Sequence, residues 1–266
     1  MSDSPELLFD VDPAGIARLT LNRPQARNAL TFAMYQGLID HCAAIDADTA
    51  IKVLVITGAG DRAFAAGTDI AQFRSFETAE DAIGYERFMD RVMGALERLR
   101  VPTVAAIAGA CTGGGAAIAA ACDLRIATRD ARFGFPIART LGNCLSLGNL
   151  ARLSALVGPA RVKDMIFTAR LIEGDEALAI GLVGEVVADA AALRDRTGAL
   201  ATLLAGHAPL TLQATKEGLR RLQDVHDRPD GERPGDDLIR LCYTSADFRE
   251  GMEAFLAKRG PNWTGR

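Results

Sequence analysis

The sequence predicts an α/β chain, and three observations carry that prediction. Short apolar runs, IKVLVIT at 51–57 and VAAIA at 104–108, read as buried strands. Between and after them, apolar residues recur at helical spacing, over 31–45 and 83–99. Single helices thus alternate with short strands, the pattern of layered α/β domains. At 266 residues the chain is long enough for one large domain, or one domain with a small appendage.

The elements follow in order. LLFDVDPAGIARLTL, with a Pro13-Ala14-Gly15 turn, reads as a β-hairpin over 9–21, and Asn22-Arg23-Pro24 ends it. Thr31 is a plausible N-cap for the first helix. After the strand at 51–57 come a turn at 58–61, the string AFAAGTD at 63–69, and a polar segment to about 82. A long helix over 83–99 follows. Further short strands are expected at 123–127, 132–135 and 182–187, and helices at 145–156, 159–167 and 175–180. From 190 the character turns helical, to about 225 and again over 237–258, around the Pro/Gly-rich loop HDRPDGERPGDD. The pattern divides into a compact unit over 1–195 and an all-helical extension over 196–266, whose apolar faces call for a partner.

Composition excludes several classes. A hydrophobic share of 49% with 24% charged residues is that of an ordinary globular protein. A net charge of −4 gives no general attraction to nucleic acid or acidic membranes. No apolar run approaches the ~20 residues needed to span a bilayer. MSDSPELLFD has no basic stretch leading into an apolar one, so no signal peptide is expected and a cytoplasmic location is. Five cysteines without metal-type spacing fit reduced, buried thiols, and no metal site is expected.

The stretch with most chemical content is GACTGGGAAIAAACD, 109–123. A strand leads into three glycines and then an alanine-rich helix start. Glycines in a row are costly to order and suit a backbone that must approach something closely. A helix start adds free N–H groups and the positive end of the dipole, which suit an oxygen carrying negative charge. A tight strand–helix connection with no ligand is the plainer reading, and on this stretch alone both stay open.

Five strings in order resemble the enoyl-CoA hydratase/isomerase (crotonase) superfamily. They are Asn22-Arg23-Pro24 with Asn28-Ala29-Leu30, Ala65-Ala66-Gly67-Thr68-Asp69, Thr112-Gly113-Gly114-Gly115, ACDLRIA at 121–127, and Glu250-Gly251-Met252 with Phe255 and Lys258-Arg259. The resemblance implies a superhelix of ββα units with a C-terminal helical region that assembles a homotrimer or a dimer of trimers. It implies a coenzyme A thioester as substrate, with no separate cofactor. It places the two N–H groups that hold the thioester oxygen, as it becomes an enolate, on Thr68 and Gly114. The coenzyme and acyl sites would fall on Ala26, Arg27, Asn28, Ala65, Ala66, Asp69 and Ile70, on Ala110 and Gly113, and on Phe255 and Lys258 of the last helix. For Arg27 a solvated surface arginine, and for Phe255 plain core packing, stand as equal alternatives.

The chain departs from the pattern where the superfamily's hydratases carry two glutamates. The first position holds Ala117. The second follows Pro136 in Phe133-Gly134-Phe135-Pro136 and holds Ile137, or Ala138 if one residue is inserted. None of these side chains can carry a proton, which weighs against hydration by the two-glutamate route. The enolate-holding backbone is untouched. The expectation is an enoyl-CoA hydratase/isomerase-like enzyme, with an acyl-CoA decarboxylase or hydrolase and a non-catalytic acyl-CoA binding subunit as alternatives. Arg139 and Asn143 lie on the following loop, where Arg139 could hold a carboxylate. The hydroxyl of Thr68 and the carboxylate of Asp69 are read as caps of the turn that follows. Cys111 and Cys144 are read as packing, and Asp123 as structural. Tyr85 and Glu86 begin the long helix; Glu86 is the one acid there worth testing, although charges on such a helix are mostly solvated.

Overall fold

The computed structural model describes residues 5–223, 240 and 243–262. The polar loop, His226 and Cys242 lie outside the described residues, as does part of the helix expected over 237–258.

Two sheets share one repeating path. The chain lays a strand in a six-stranded sheet, turns, adds a short strand to a four-stranded sheet, and leaves through a helix. β3 (Val53–Gly58), β4 (Ala63–Ala65) and α2 (Ala79–Arg98) make one such unit. β5 (Thr103–Ile107), β6 (Ala110–Thr112) and α3 (Gly114–Ala121) make the next, and β7 (Leu124–Thr128), β8 (Arg132–Gly134) and α4 (Ile137–Thr140) a third. Before them stand the hairpin β1 (Leu7–Val11) and β2 (Ile16–Leu21), and α1 (Phe32–Ala47), capped by Thr31 as expected. After them come α5 (Leu147–Val157), α6 (Pro159–Phe167), β9 (Ile172–Glu173), α7 (Gly174–Ala179), β10 (Glu185–Val187), α8 (Ala190–Ala205), α9 (Pro209–Gln223) and α10 (Ala246–Leu256).

The larger sheet runs β1-β2-β3-β5-β7-β10, parallel from β2 onward; the smaller runs β4-β6-β8-β9. Of the second sheet only β8 was legible, as the strand expected over 132–135; β4, β6 and β9 span two or three residues each and left no pattern. Gly109 makes the corner between β5 and β6. Its φ is +62°, and a Cβ there would lie 2.2 Å from the Arg62 carbonyl oxygen.

The large sheet is buried on both faces, as parallel sheets are. Leu19, Leu54, Ile56, Ala105 and Ile107 face α1, α2 and α3, while Val53, Val55, Val104 and Ile126 face α8 through Leu193 and Ala201. The division read at 195 therefore lies within α8. Lys216 ties α9 down, donating to Asp123 at 2.7 Å and to the carbonyls of Leu96 and Val101. Asp123 also accepts from Thr103 N–H and Oγ1, so its role is structural. α10 folds back toward the 3-10 turn Ile70–Ser75 and α4, and Tyr243 and Phe248 pack with Phe73, Ala82 and Ile83. Among the described residues no helix is long and apolar enough to cross a membrane.

Candidate active site

The two glycine strings meet across one cavity of about 470 Å3. After β4 the chain runs alongside Leu30, whose N–H donates to Gly67 O and whose carbonyl accepts from Asp69 N–H, both at 2.8 Å. In an extended segment that pairing turns the N–H of Thr68, the residue between, to the opposite side. There the segment abuts the β6–α3 turn. Thr112 Oγ1 donates to Ala66 O at 2.9 Å, and a Cβ on Gly113 would lie 3.4 Å from Gly67 Cα. Gly114 is the first residue of α3, so its N–H has no partner within the helix. Thr68 and Gly114 both line the cavity.

Each of the three glycines has its own reason. Gly113 has φ +52° and ψ −121°, which a side chain would resist. A Cβ on Gly114 would lie 1.9 Å from Tyr35 Oη. On Gly115 it would lie 2.4 Å from the Ala65 carbonyl oxygen, because α3 is pressed against β4. Gly115→Ala should cost about 1–3 kcal/mol, since backbone atoms cannot move aside cheaply. Gly84→Ala, on the exposed side of α2 with open space around it, should gain about 0.5–1 kcal/mol. Denaturant titration of the two variants checks the contrast.

A chain of hydroxyls crosses the cavity wall. Tyr35 Oη and Thr68 Oγ1 stand 2.8 Å apart, and Thr68 Oγ1 and Tyr85 Oη 2.9 Å apart. Burial pushes both phenols upward, so they stay neutral. This corrects the reading of the Thr68 hydroxyl as a helix cap. The cap is Asp69, which accepts from Ala71 N–H at 3.2 Å and pairs with Arg23 at 3.0 Å.

Glu86 also lines the cavity, and it overturns the expectation of a solvated charge. The residue is 4% exposed. Tyr243 Oη donates to its Oε1 at 2.6 Å, and the Ser146 backbone N–H donates to the same carboxyl. Asn143 Nδ2 in turn donates to Tyr243 Oη at 3.0 Å. Burial first, with Asp90 one turn away adding to it, raises the carboxyl to about 7. A signal was present in the sequence. Ile83, Glu86, Met89, Met93 and Leu96 share the buried stripe of α2, so a charge falls where an amphipathic helix should be apolar.

Of the positions singled out by sequence, Ala26, Arg27, Ala66, Asp69, Ile70, Gly113, Ala117, Pro136, Ile137 and Phe255 line the cavity with Thr68 and Gly114. Five do not. Asn28 is fully buried and holds the 23–30 loop, donating to Ala59 O and Ala63 O and accepting from Arg23 N–H. Ala65 is buried in β4 against α3, and Ala110 is taken up in β6, paired with β4 and β8. Arg139 and Lys258 are exposed, Arg139 on α4 and Lys258 beyond α10. Arg139 is thus a surface residue and does not reach the cavity to hold a carboxylate. Ala117 and Ile137 are buried apolar wall, and Ala138 is exposed. Cys111 is buried and its thiol pushed up, as a packing residue is. His41 stacks on Phe9, with ring centroids 4.5 Å apart. Among the described residues no group of three or more His, Cys, Asp or Glu is placed to hold a metal ion.

The chain is similar to known proteins. Residues 12–266 match the family model described as Enoyl-CoA hydratase/isomerase. The short-chain-enoyl-CoA hydratase of Clostridium acetobutylicum is 35% identical over 244 residues, 92% of each chain. The 2,3-dehydroadipyl-CoA hydratase of Escherichia coli is 36% identical over 248 residues, 93% of this chain and 94% of that one. Among solved structures, a methylmalonyl-CoA decarboxylase in complex with 2-nitronate-propionyl-CoA superposes with a TM-score of 0.88 at 28% identity, covering 98% of this chain and 99% of that one. The ββα spiral is thus the crotonase fold expected from the five strings. With that fold, and with a family model matched from the first hairpin to the last residue, the chain belongs to the enoyl-CoA hydratase/isomerase family.

Proposed function

We infer that the protein is an acyl-CoA enzyme that forms a thioester enolate and holds its oxygen between Thr68 N–H and Gly114 N–H. The observation that carries this is the meeting of the Gly67-Thr68 segment and the Gly113-Gly114 helix start in one largely apolar cavity. Donors fixed by backbone need no reorganisation as charge develops, and a dry wall strengthens them. The hydratases among its relatives, named for enoyl-CoA and dehydroadipyl-CoA, make an enoyl thioester the first substrate class to test. Arg27 at the cavity mouth suits a coenzyme phosphate, and Phe255, half exposed above the cavity, suits the pantetheine path.

A second reading has its own observation. Ala117 and Ile137 make the wall apolar, and the decarboxylase neighbour shares nearly the whole fold. A malonyl-type thioester in an apolar site would lose carbon dioxide, and the electrons of the broken Cα–carboxylate bond would enter the same held enolate. Leu203, Leu210 and Leu219 on α8 and α9 are exposed, and we take these two helices as the contact of a trimer or a dimer of trimers.

Mass spectrometry, with ultraviolet absorbance of the conjugated thioester, applied to enoyl-, 3-hydroxyacyl- and malonyl-type thioesters after incubation tests these readings. Gain of water on an enoyl-CoA, or its rearrangement without mass change, supports the first. Loss of carbon dioxide supports the second. Binding with no change in any thioester would move the protein to a non-catalytic subunit.

A further inference from the structure

We propose that Glu86 is the proton carrier of this site, and that it moves a hydrogen between two carbons of a 3-enoyl-CoA thioester. The inference rests on the enolate reading above and goes beyond it to a residue; the hydrogen shift itself is the isomerase half of the family's description.

Among the described residues two carboxyl groups line the cavity, those of Asp69 and Glu86. Asp69 is committed to Arg23 and to capping Ala71. Among the described residues no cation acts on Glu86. The groups facing it are Tyr85 and Asp90 from its own helix, Ser146 N–H and Asn143 from the segment before α5, and Tyr243 from the C-terminal segment. A buried carboxyl that served only the fold would be expected to meet a guanidinium or ammonium. This one meets a phenol and an amide N–H, both of which stabilise the carboxylate without neutralising it. Its value of about 7 keeps both forms populated at neutral pH, as a general acid–base needs.

One carrier suits a reaction that returns its proton. The Glu86 carboxylate takes a proton from Cα of the 3-enoyl thioester. The Cα–H electrons enter the thioester, and the dienolate oxygen is held by Thr68 and Gly114. Glu86 then gives the proton to Cγ, the double bond moves to Cα=Cβ, and the carboxylate is restored. No water, oxidant or second acid is consumed. Hydration would instead need a water held beside Ala117 and Ile137, and neither offers it a polar partner. Tyr243 and Asn143 are positioning residues: they orient the carboxyl and set its proton affinity.

The test uses trans-3-hexenoyl-CoA as the probe, with binding measured by calorimetry and conversion by appearance of the conjugated thioester. The wild-type protein should convert it without mass change, kcat/KM rising with pH through a midpoint near 7. Glu86→Gln should lose about 10²–10⁴-fold in kcat while binding the thioester with little change. Tyr243→Phe removes a donor to the carboxylate, so it should move the midpoint upward. A merely structural tyrosine would lower the rate equally at every pH. Wild-type turnover in Glu86→Gln would overturn the assignment of Glu86. Binding without isomerisation by the wild-type protein would overturn the reaction and leave the thioester site standing. No binding would overturn both.

Discussion

A Tyr35→Phe/Gly114→Pro double variant should fold and should lose about 10²–10³-fold in turnover relative to Tyr35→Phe alone. Gly114 opens α3, and the first helical position is where proline is tolerated, because that N–H has no partner in the helix. Proline there deletes the one donor and leaves the helix. The obstacle is Tyr35, whose Oη would lie 1.9 Å from the new Cβ, and Tyr35→Phe removes that oxygen. The remaining ring carbon and Thr68 Oγ1, each at 3.2 Å, need to give by only a few tenths of an ångström. Turnover of a folded double variant at the rate of Tyr35→Phe would show that Gly114 N–H does not hold the developing oxyanion.

The second large effect is on stability, and it has a definite sign. The Glu86 carboxyl titrates at about 7 in the folded chain against the ordinary 4.5. The folded state therefore holds this proton more tightly than the unfolded one. The stabilisation is fully present below 4.5 and is lost as pH rises through 7. Glu86→Gln carries no charge to bury and can still accept from Tyr243. Its stability relative to wild type should rise by about 3 kcal/mol between acid and mildly alkaline pH. Denaturant titrations at pH 5 and pH 8 read the difference, and a gap that does not change with pH would contradict the buried charge. A variant that is more stable and less active is the trade expected of a group held for chemistry.

The elements that position the site were legible in the sequence because their signals are local. The apolar runs at β3 and β5, the glycines at 113–115 and the Thr31 cap each act within a few residues, and each sits where it was expected. What was illegible depends on distant chain. The Thr68 hydroxyl bonds to Tyr35 and Tyr85, from two different helices, and no string around Thr68 reveals that. Asn28 looked like coenzyme pocket by motif, yet its amide holds the carbonyls of Ala59 and Ala63. Arg139 follows the acyl-site proline but faces out, because α4 is a single turn that buries Ile137 and exposes its other side. Glu86 is the informative miss. Its place on the apolar stripe of α2 was readable, but its partner Tyr243 lies far along the chain, and only folding brings the two together.

The most direct test of the enolate claim is α-hydrogen exchange. Butyryl-CoA, a saturated thioester, is incubated with the wild-type protein in D2O, and its mass is followed. The reaction needs a base and a place for the enolate oxygen, and nothing else. Deuterium entering Cα at a rate that collapses in the Tyr35→Phe/Gly114→Pro variant is the result the account predicts. Bound butyryl-CoA that gains no deuterium, or gains it equally fast without the Gly114 N–H, would contradict it.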